Sequence, residues 1–404
     1  MKTPNLLGAL LGGLAALALA APAAPVLAQT PAKIDALKLN QIQVIGTHNS
    51  YHLPADPRVL DFAGAQVTAA IEAMLARLTP VQRKAYESEF TNGSTPDIRR
   101  TLAYVEPPLS TQLSAGIRSV ELDLHHDPEG GRFADPMAYR VLRQKGETDL
   151  APFFAEGMDK PGLKVLHMSD IDVRSHCPTF RQCLKDVRQW SDANPGHTPV
   201  FMIIEPKAGA LPLPGAVSVL PFDKAAWEEF DRSILEIIGR DKLITPDDVR
   251  GDHATLEEAV LAGGWPTVAK ARGKFVFLVL SPAGQQQLLG AYLDGHPALK
   301  GRAAFIDSKP GDAHAAFMQE DNALADPKAV EGLVKRGYIV RSRSDIDTEE
   351  ARRNDVRRRD TTLATGAQVV STDYYQAPNL FGNDYHVAPF AGGARCNPVT
   401  GGTC

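Results

Sequence analysis

Apolar residues recur along this chain in short runs that end on polar side chains. Ile42, Val44 and Ile45 form the first run, which breaks at Gly46 into Thr47-His48-Asn49-Ser50. Ser119–His125 alternates, with Val120, Leu122 and Leu124 set against Glu121, Asp123 and His125. A strand there puts both carboxylates on one face, with alpha carbons about 6.6 Å apart. Further runs are Leu163–Leu166, ending in His167, and Val200–Ile204, ending in Glu205-Pro206-Lys207. Lys274–Leu280, Ala303–Ile306 (ending at Asp307), Tyr338–Val340 (ending at Arg341) and Gln368–Ser371 (running into Asp373) complete the series. A charged residue followed by proline marks the end of pairing, which puts Glu205 at a strand end and not within a sheet.

Between these runs the spacing turns helical. Ala63–Glu89 carries Ile71, Met74, Leu75 and Leu78, with Pro80 marking a kink or a boundary. Phe180–Trp190, Ala225–Ile238 and Ala283–Leu293 read as helices, and Thr348–Leu363 as a highly charged helix with a solvated face. Eight strands, beginning near residues 42, 119, 163, 200, 274, 303, 338 and 367, alternate with helical or long segments. The pattern implies an α/β fold with a parallel sheet closed as a TIM-type (β/α)8 barrel, regular or distorted, with a long helical insertion after the first strand. An excursion of that length inside a domain is a lid over the site or a peripheral insertion. An open doubly wound sheet is the alternative, but no Gly-rich phosphate loop follows the first strand.

The barrel gives the polar residues a common address. His48, Asn49, Glu121, Asp123, His167, Glu205, Asp307, Arg341 and Asp373 all fall at or near the carboxyl ends of strands, where such barrels carry their active sites. Asn49, Glu121, Asp123 and Glu205 supply an amide oxygen and three carboxylates, which repel one another unless a cation neutralises them. Oxygen ligands drawn from three strands favour Ca2+ over the stricter octahedron of Mg2+. His48 and His167 remain beside them as proton-transfer groups, an arrangement suited to attack by an oxygen on phosphorus. Lys207 and Arg341 are the leading candidates for the phosphate, with Arg343, Asp345 and Asp373 as further substrate-binding candidates.

Composition sets the setting for this chemistry. The 404 residues are 44% hydrophobic and 23% charged, as in a globular protein, and the formal net charge of −5 gives no footing for nucleic acid. Residues 1–28 have the order of a secretory signal: Lys2, the apolar run Leu6–Ala20, and small residues before Gln29. Pro22 and Pro25 interrupt a run already short for a membrane span, so residues 29–404 are expected as a single secreted or periplasmic catalytic domain. Export permits disulfides, and of the three possible connectivities the local pairs Cys177–Cys183 and Cys396–Cys404 close the shortest loops. A zinc site at His176-Cys177 is the weaker reading, because neither cysteine pair has knuckle spacing.

Several stretches carry a resemblance. GTHNSYH at 46–52, LSTQLSAGIRSVELDL at 109–124, LHMSD at 166–170 and IIEPK at 203–207 resemble the catalytic half of the calcium-dependent phosphoinositide-specific phospholipase C superfamily. VRSRSDIDTEEARRNDVRRRDTTLATGAQVVSTDYY at 340–375 is similar to the ending of its secreted bacterial branch. The resemblance implies that His48 and His167 are the paired catalytic histidines, that Asn49, Glu121, Asp123 and Glu205 bind Ca2+, and that a phosphatidylinositol is cleaved to diacylglycerol and an inositol phosphate. It also implies transient contact with a membrane surface. The strand at 274–280 runs into Ser281-Pro282 without the lysines that eukaryotic relatives use, which points to unphosphorylated phosphatidylinositol or a related soluble phosphodiester. A glycerophosphodiester phosphodiesterase would share the barrel and the Glu-x-Asp strand, but typically has His-Arg where this chain has His48-Asn49. A secreted module that binds a lipid headgroup without turnover is the alternative of another class.

Overall fold

The computed structural model describes residues 31–86, 97–209, 211, 213–281 and 287–402. The expected secretory segment, residues 87–89 and 283–286 of two expected helices, and Cys404 lie outside these. The strands are β1 (Ile42–Thr47), β2 (Ser119–His125), β3 (Lys164–Val165), β4 (Val200–Lys207), β5 (Phe275–Val279), β6 (Ala304–Ile306), β7 (Phe317–Gln319), β8 (Ile339–Arg343), β9 (Val369–Thr372) and β10 (Arg395–Cys396). Eight of them run in the order β6-β5-β4-β2-β1-β9-β8-β7, every pair between neighbours being parallel. A bridge between Asp307 and Phe317 joins β6 to β7. Side chains stitch this thin seam: Ser308 Oγ donates to the Phe317 carbonyl (2.8 Å) and the Gln319 N–H to Asp307 Oδ1 (2.9 Å). The result is a distorted (β/α)8 barrel with helical insertions, as the alternation of strands and helices implies.

One member of the expected eight lies off the barrel, and a strand outside that set joins it. Val165 and Lys164 pair antiparallel with Leu124 and His125, so β3 lies off the barrel. The reason is positional. β4 follows β2 through its whole length, whereas β1 meets it only at Gly46↔Ser119, leaving the upper edge of β2 open to a short return strand. The barrel reaches eight strands through β7, between β6 and β8, a three-residue strand that the apolar pattern did not single out.

Gly46 is not a break either. It sits inside β1, opposite Ser119 and Ser371, where an added Cβ would lie 2.4 Å from Ser119 Cβ; only glycine permits this approach of the strands. Glu205 lies within the sheet, since β4 continues past it with Pro206 opposite Leu124 and Lys207 opposite His125. β5 has left β4 after Ile204↔Val279, so proline's missing N–H falls where one side of the strand is already open.

Helices cover the barrel by ordinary amphipathic logic. Phe180–Ala193 starts at a Thr179/Gln182 capping box and buries Phe180, Leu184, Val187 and Trp190. A fully buried Leu or Phe side chain contributes about 1.5–3 kcal/mol, so these four anchor the helix firmly. The insertion after β1 begins with Pro57–Leu75, capped by Asp56 with Pro57 in its first turn, and Pro80 opens a second helix, Pro80–Tyr86. Val59, Ala63 and Val67 pack with Ile98, Leu102 and Tyr104 into an apolar cluster separate from the main barrel core. The stretch Thr348–Leu363 is two helices, Glu349–Arg353 and Arg357–Ala364, broken at Asn354 in the left-handed region. Its expected solvated face is partly buried: Arg358 Nε donates to Glu350 Oε1 (2.7 Å) and Nη1 to Asn322 (2.8 Å).

Candidate active site

The turn after β1 is held rigidly. Thr47 Oγ1 bonds Ser50 Oγ (2.6 Å) and Gln112 Oε1 (2.5 Å), while Gln112 Nε2 donates to the Ser50 carbonyl (2.6 Å). Ser50 Oγ in turn accepts from the Glu121 N–H (2.7 Å), tying this turn to β2. Asn49 takes a positive φ of 45°, which asparagine tolerates better than most residues. These constraints aim His48 and Asn49 at the carboxyl end of the barrel.

A cavity of about 180 Å³ opens there, lined by His48, Glu121, His167, Glu205, Lys207, Arg341 and Asp373 among others. Ile71, Tyr86, Ile98, Leu102 and Tyr104 line its other side, so the long insertion forms one wall of the site. Asn49 and Asp123 are fully buried beside these residues and are not themselves part of the lining.

Glu121, Asp123 and Glu205 bring carboxylate oxygens within 4.8 Å of one another and form a cluster able to hold a divalent metal. Two features of the donors fit a hard cation. Glu121 Oε1 is buried without a hydrogen bond among the described residues. When the Asn49 amide nitrogen donates to Tyr104 Oη (2.7 Å), its oxygen faces the Asp123 carboxylate at 3.1 and 3.2 Å, acceptor against acceptors. A cation relieves that opposition, as does turning the amide over to donate to Asp123. Burial pushes the Asp123 carboxyl well up, against the opposing ammonium of Lys207. Burial acts in the same sense on Glu205, where Lys207 outweighs it and the carboxyl is lowered.

The cations of the cavity are committed to carboxylates. Lys207 Nζ lies 2.9 Å from Asp123 Oδ2 and 2.6 Å from Glu205 Oε1. Arg341 donates from Nη2 to Glu121 Oε2 (2.6 Å) and from Nη1 to Asp321. Arg343 Nη2 lies 3.5 Å from Asp373 Oδ2 and 3.4 Å from His48 Nδ1.

Each histidine is backed by a buried carboxylate. His48 Nδ1 is 2.8 Å from Asp373 Oδ1, and His48 Nε2 points toward Glu121 Oε1 at 3.8 Å. Burial, and then the charge of Arg343, lowers the His48 pKa well below the usual value. His167 Nδ1 is 2.9 Å from Asp172 Oδ2. Burial lowers its pKa too, but the hydrogen bond to Asp172 opposes the shift. Asp345, a candidate for substrate, is instead buried among Thr372 Oγ1 (2.5 Å), Tyr385 Oη (3.1 Å) and the Asp373 N–H (2.8 Å). Burial and then the charge of Asp373 raise it to about 6. Asp307 stands at the β6–β7 seam, outside the cavity lining.

The structure adds residues that the sequence reading passed over. Asp172 accepts from His52 Nε2 (3.0 Å) as well as from His167, and Asp321 and Asp347 line the cavity. His52 stands in the run GTHNSYH and was visible there. Asp172 was masked by Asp170, the aspartate of LHMSD, which instead accepts from the backbone N–H groups of Met137 (2.8 Å) and Val217 (2.7 Å).

Fold and site together define a barrel enzyme of the phosphodiesterase type. A family model described as Ca2+-dependent phosphoinositide phospholipase C matches residues 37–398, and the chain belongs to that family. Among solved structures it is similar to a Ca2+-dependent phosphatidylinositol-specific phospholipase C from Streptomyces antibioticus, at 20% identity. That match covers 86% of this chain and 98% of the other, with a TM-score of 0.48. It is also similar to a calcium-dependent phosphoinositol-specific phospholipase C from a Gram-negative Pseudomonas sp. The identity there is 16%, over 91% of this chain and 97% of that one, with a TM-score of 0.48. No curated protein matches the chain.

Proposed function

We propose that this chain is a secreted or periplasmic Ca2+-dependent phospholipase C of the bacterial branch, cleaving unphosphorylated phosphatidylinositol to diacylglycerol and an inositol phosphate. The observation that carries this reading is the convergence, in one cavity, of two carboxylate-backed histidines on an acidic cluster fit for a hard cation. Asn49, Glu121, Asp123 and Glu205 would hold the ion, which supplies positive charge for the phosphoryl oxygens when bound.

The division of labour follows from the surroundings of the two rings. His48, held neutral by burial and by Arg343, is placed to accept a proton from the attacking inositol hydroxyl. His167, whose Asp172 hydrogen bond favours the protonated ring, is the better donor to the departing diacylglycerol oxygen. Lys207, Arg341 and Arg343 add positive charge for the phosphate, and Asp373 sets the orientation of His48. Leu280 lines the cavity at the end of β5, where an apolar residue offers nothing to a phosphorylated ring.

Two further features support the setting. The Cys177–Cys183 bridge fits an oxidising compartment, and Met74 and Val81 on the insertion are exposed (40% and 80%), as a lipid-touching surface requires. The test is cleavage of phosphatidylinositol vesicles by the mature protein, with Ca2+ and with excess chelator, beside a glycerophosphodiester. Chelator-sensitive release of diacylglycerol is expected. Cleavage of the glycerophosphodiester alone, or binding without turnover, would overturn the reading.

A further inference from the structure

Asp347 differs from every other charged residue of the cavity. It lines the wall beside Arg343, and among the described residues its carboxylate makes no hydrogen bond and no ion pair. The cavity cations, by contrast, are already matched: Lys207 to Asp123 and Glu205, Arg341 to Glu121 and Asp321, Arg343 to Asp373. Asp347 is therefore an acceptor left open among the described residues, on the β8 side of the cavity near the charge of Arg343.

We infer that Asp347 is a specificity-determining residue, its carboxylate accepting from hydroxyls of a polyol headgroup and repelling a headgroup that carries additional phosphate. The inference rests on the proposed reading and names the residue that chooses among its substrates. Hydroxyls donate as well as accept, so a headgroup hydroxyl can satisfy the open Asp347 carboxylate. A phosphate monoester cannot take the same place. It brings about −1.5 to −2 charges and only acceptors, and at this wall it would meet the unpaired Asp347 carboxylate beside an Arg343 already paired with Asp373. A buried polar group left unmatched by the wrong ligand is the usual source of strong discrimination.

The backbone dictates which substitutions are informative. Asp347 and Thr348 both have positive φ, 52° and 66°, a region that asparagine and glycine enter readily. Asp347→Asn and Asp347→Gly thus remove the charge without forcing the turn. Wild type and both variants would be assayed at saturating Ca2+ on vesicles containing phosphatidylinositol or its singly phosphorylated 4-phosphate, with myo-inositol binding measured by calorimetry on the chelated proteins. The wild type should favour the unphosphorylated lipid by at least tenfold in kcat/KM. Asp347→Asn and Asp347→Gly should narrow that ratio several-fold, raise KM for phosphatidylinositol more than they lower kcat, and weaken myo-inositol binding. An unchanged ratio and unchanged myo-inositol binding in two folded variants would overturn the inference while leaving the proposed function standing. A wild type inactive on both lipids would remove the proposed function, and the inference with it.

Discussion

His167 Nδ1 lies 2.9 Å from Asp172 Oδ2, and that carboxylate is completely buried. Both Asp172 oxygens also stand 3.0 Å from His52 Nε2, so one aspartate holds two rings. His52 stacks on Tyr104 (ring centroids 4.3 Å apart), which fixes the assembly from the side of the insertion. Asp172 is therefore expected to orient His167, in the way a buried carboxylate fixes the tautomer of a working imidazole.

Asp172→Asn should lower kcat by about 10²-fold or more, within the range that proton transfer contributes, while leaving Ca2+ affinity within a factor of two. Single-turnover cleavage paired with calorimetric Ca2+ titration checks both halves. Equal losses of turnover and of metal affinity would mean that the change disturbs the whole site.

The same residue predicts a pH dependence of stability. Burial by itself would push the Asp172 carboxyl up, but His52 and His167 outweigh it and hold it below the usual carboxylate range. A folded value below the unfolded one, about 3.9, means that the stabilisation is full above that pH and is lost as pH falls toward the folded value. Urea unfolding of the wild type and Asp172→Asn should show the larger gap at pH 6 and a shrinking gap below pH 4. A gap that widens in acid would contradict the assignment.

His48 and His167 should respond differently to the leaving group. Each change to alanine should reduce turnover on the lipid by about 10²- to 10⁴-fold. With a nitrophenyl ester of inositol phosphate an acid is hardly needed, so His167→Ala should recover much of its rate and His48→Ala should not. Equal recovery in both variants would sink the division of roles.

Asp123→Asn removes one charge from the cluster and is expected to weaken Ca2+ binding by at least tenfold. The substitution keeps the volume, so thermal unfolding without Ca2+ should change little beside the loss of affinity. Calorimetry with unchanged Ca2+ affinity would exclude Asp123 from the ligand set.

The Cys177–Cys183 bridge closes a loop between residues six apart, at the start of the helix Phe180–Ala193. The chain-entropy estimate for so short a loop is on the order of 2 kcal/mol. Replacing both cysteines by serine should lower Tm by a few degrees without loss of activity, and mass spectrometry of unreduced peptides should recover the bridged pair. Cys396 is likewise disulfide-bonded, and its expected partner, Cys404, lies outside the described residues.

How far the chain could be read follows from the range of the forces involved. Burial on both faces of a parallel sheet leaves continuous apolar runs, a local signal, so β1, β2, β4, β5, β6, β8 and β9 are legible in the residue pattern, as are the polar groups at their ends. The chemistry of Glu-x-Asp is equally local, because a strand of period two puts both carboxylates on one face whatever surrounds it. Pairing is not local. Leu163–Leu166 and Ala315–Gln319 carry similar short apolar signals, and only the free upper edge of β2 and the gap between β6 and β8 decide which of them joins the barrel. Charge partnerships are also beyond the sequence: Asp172 meets His52 across 120 residues, and Arg341 meets Glu121 across 220. Ion pairs have no periodicity to betray them, so the residue types were fixed by the chain, while tertiary packing decided that Asp172 and Asp373 hold the histidines, that Arg358 is buried, and that the Asp347 carboxylate has no partner among the described residues.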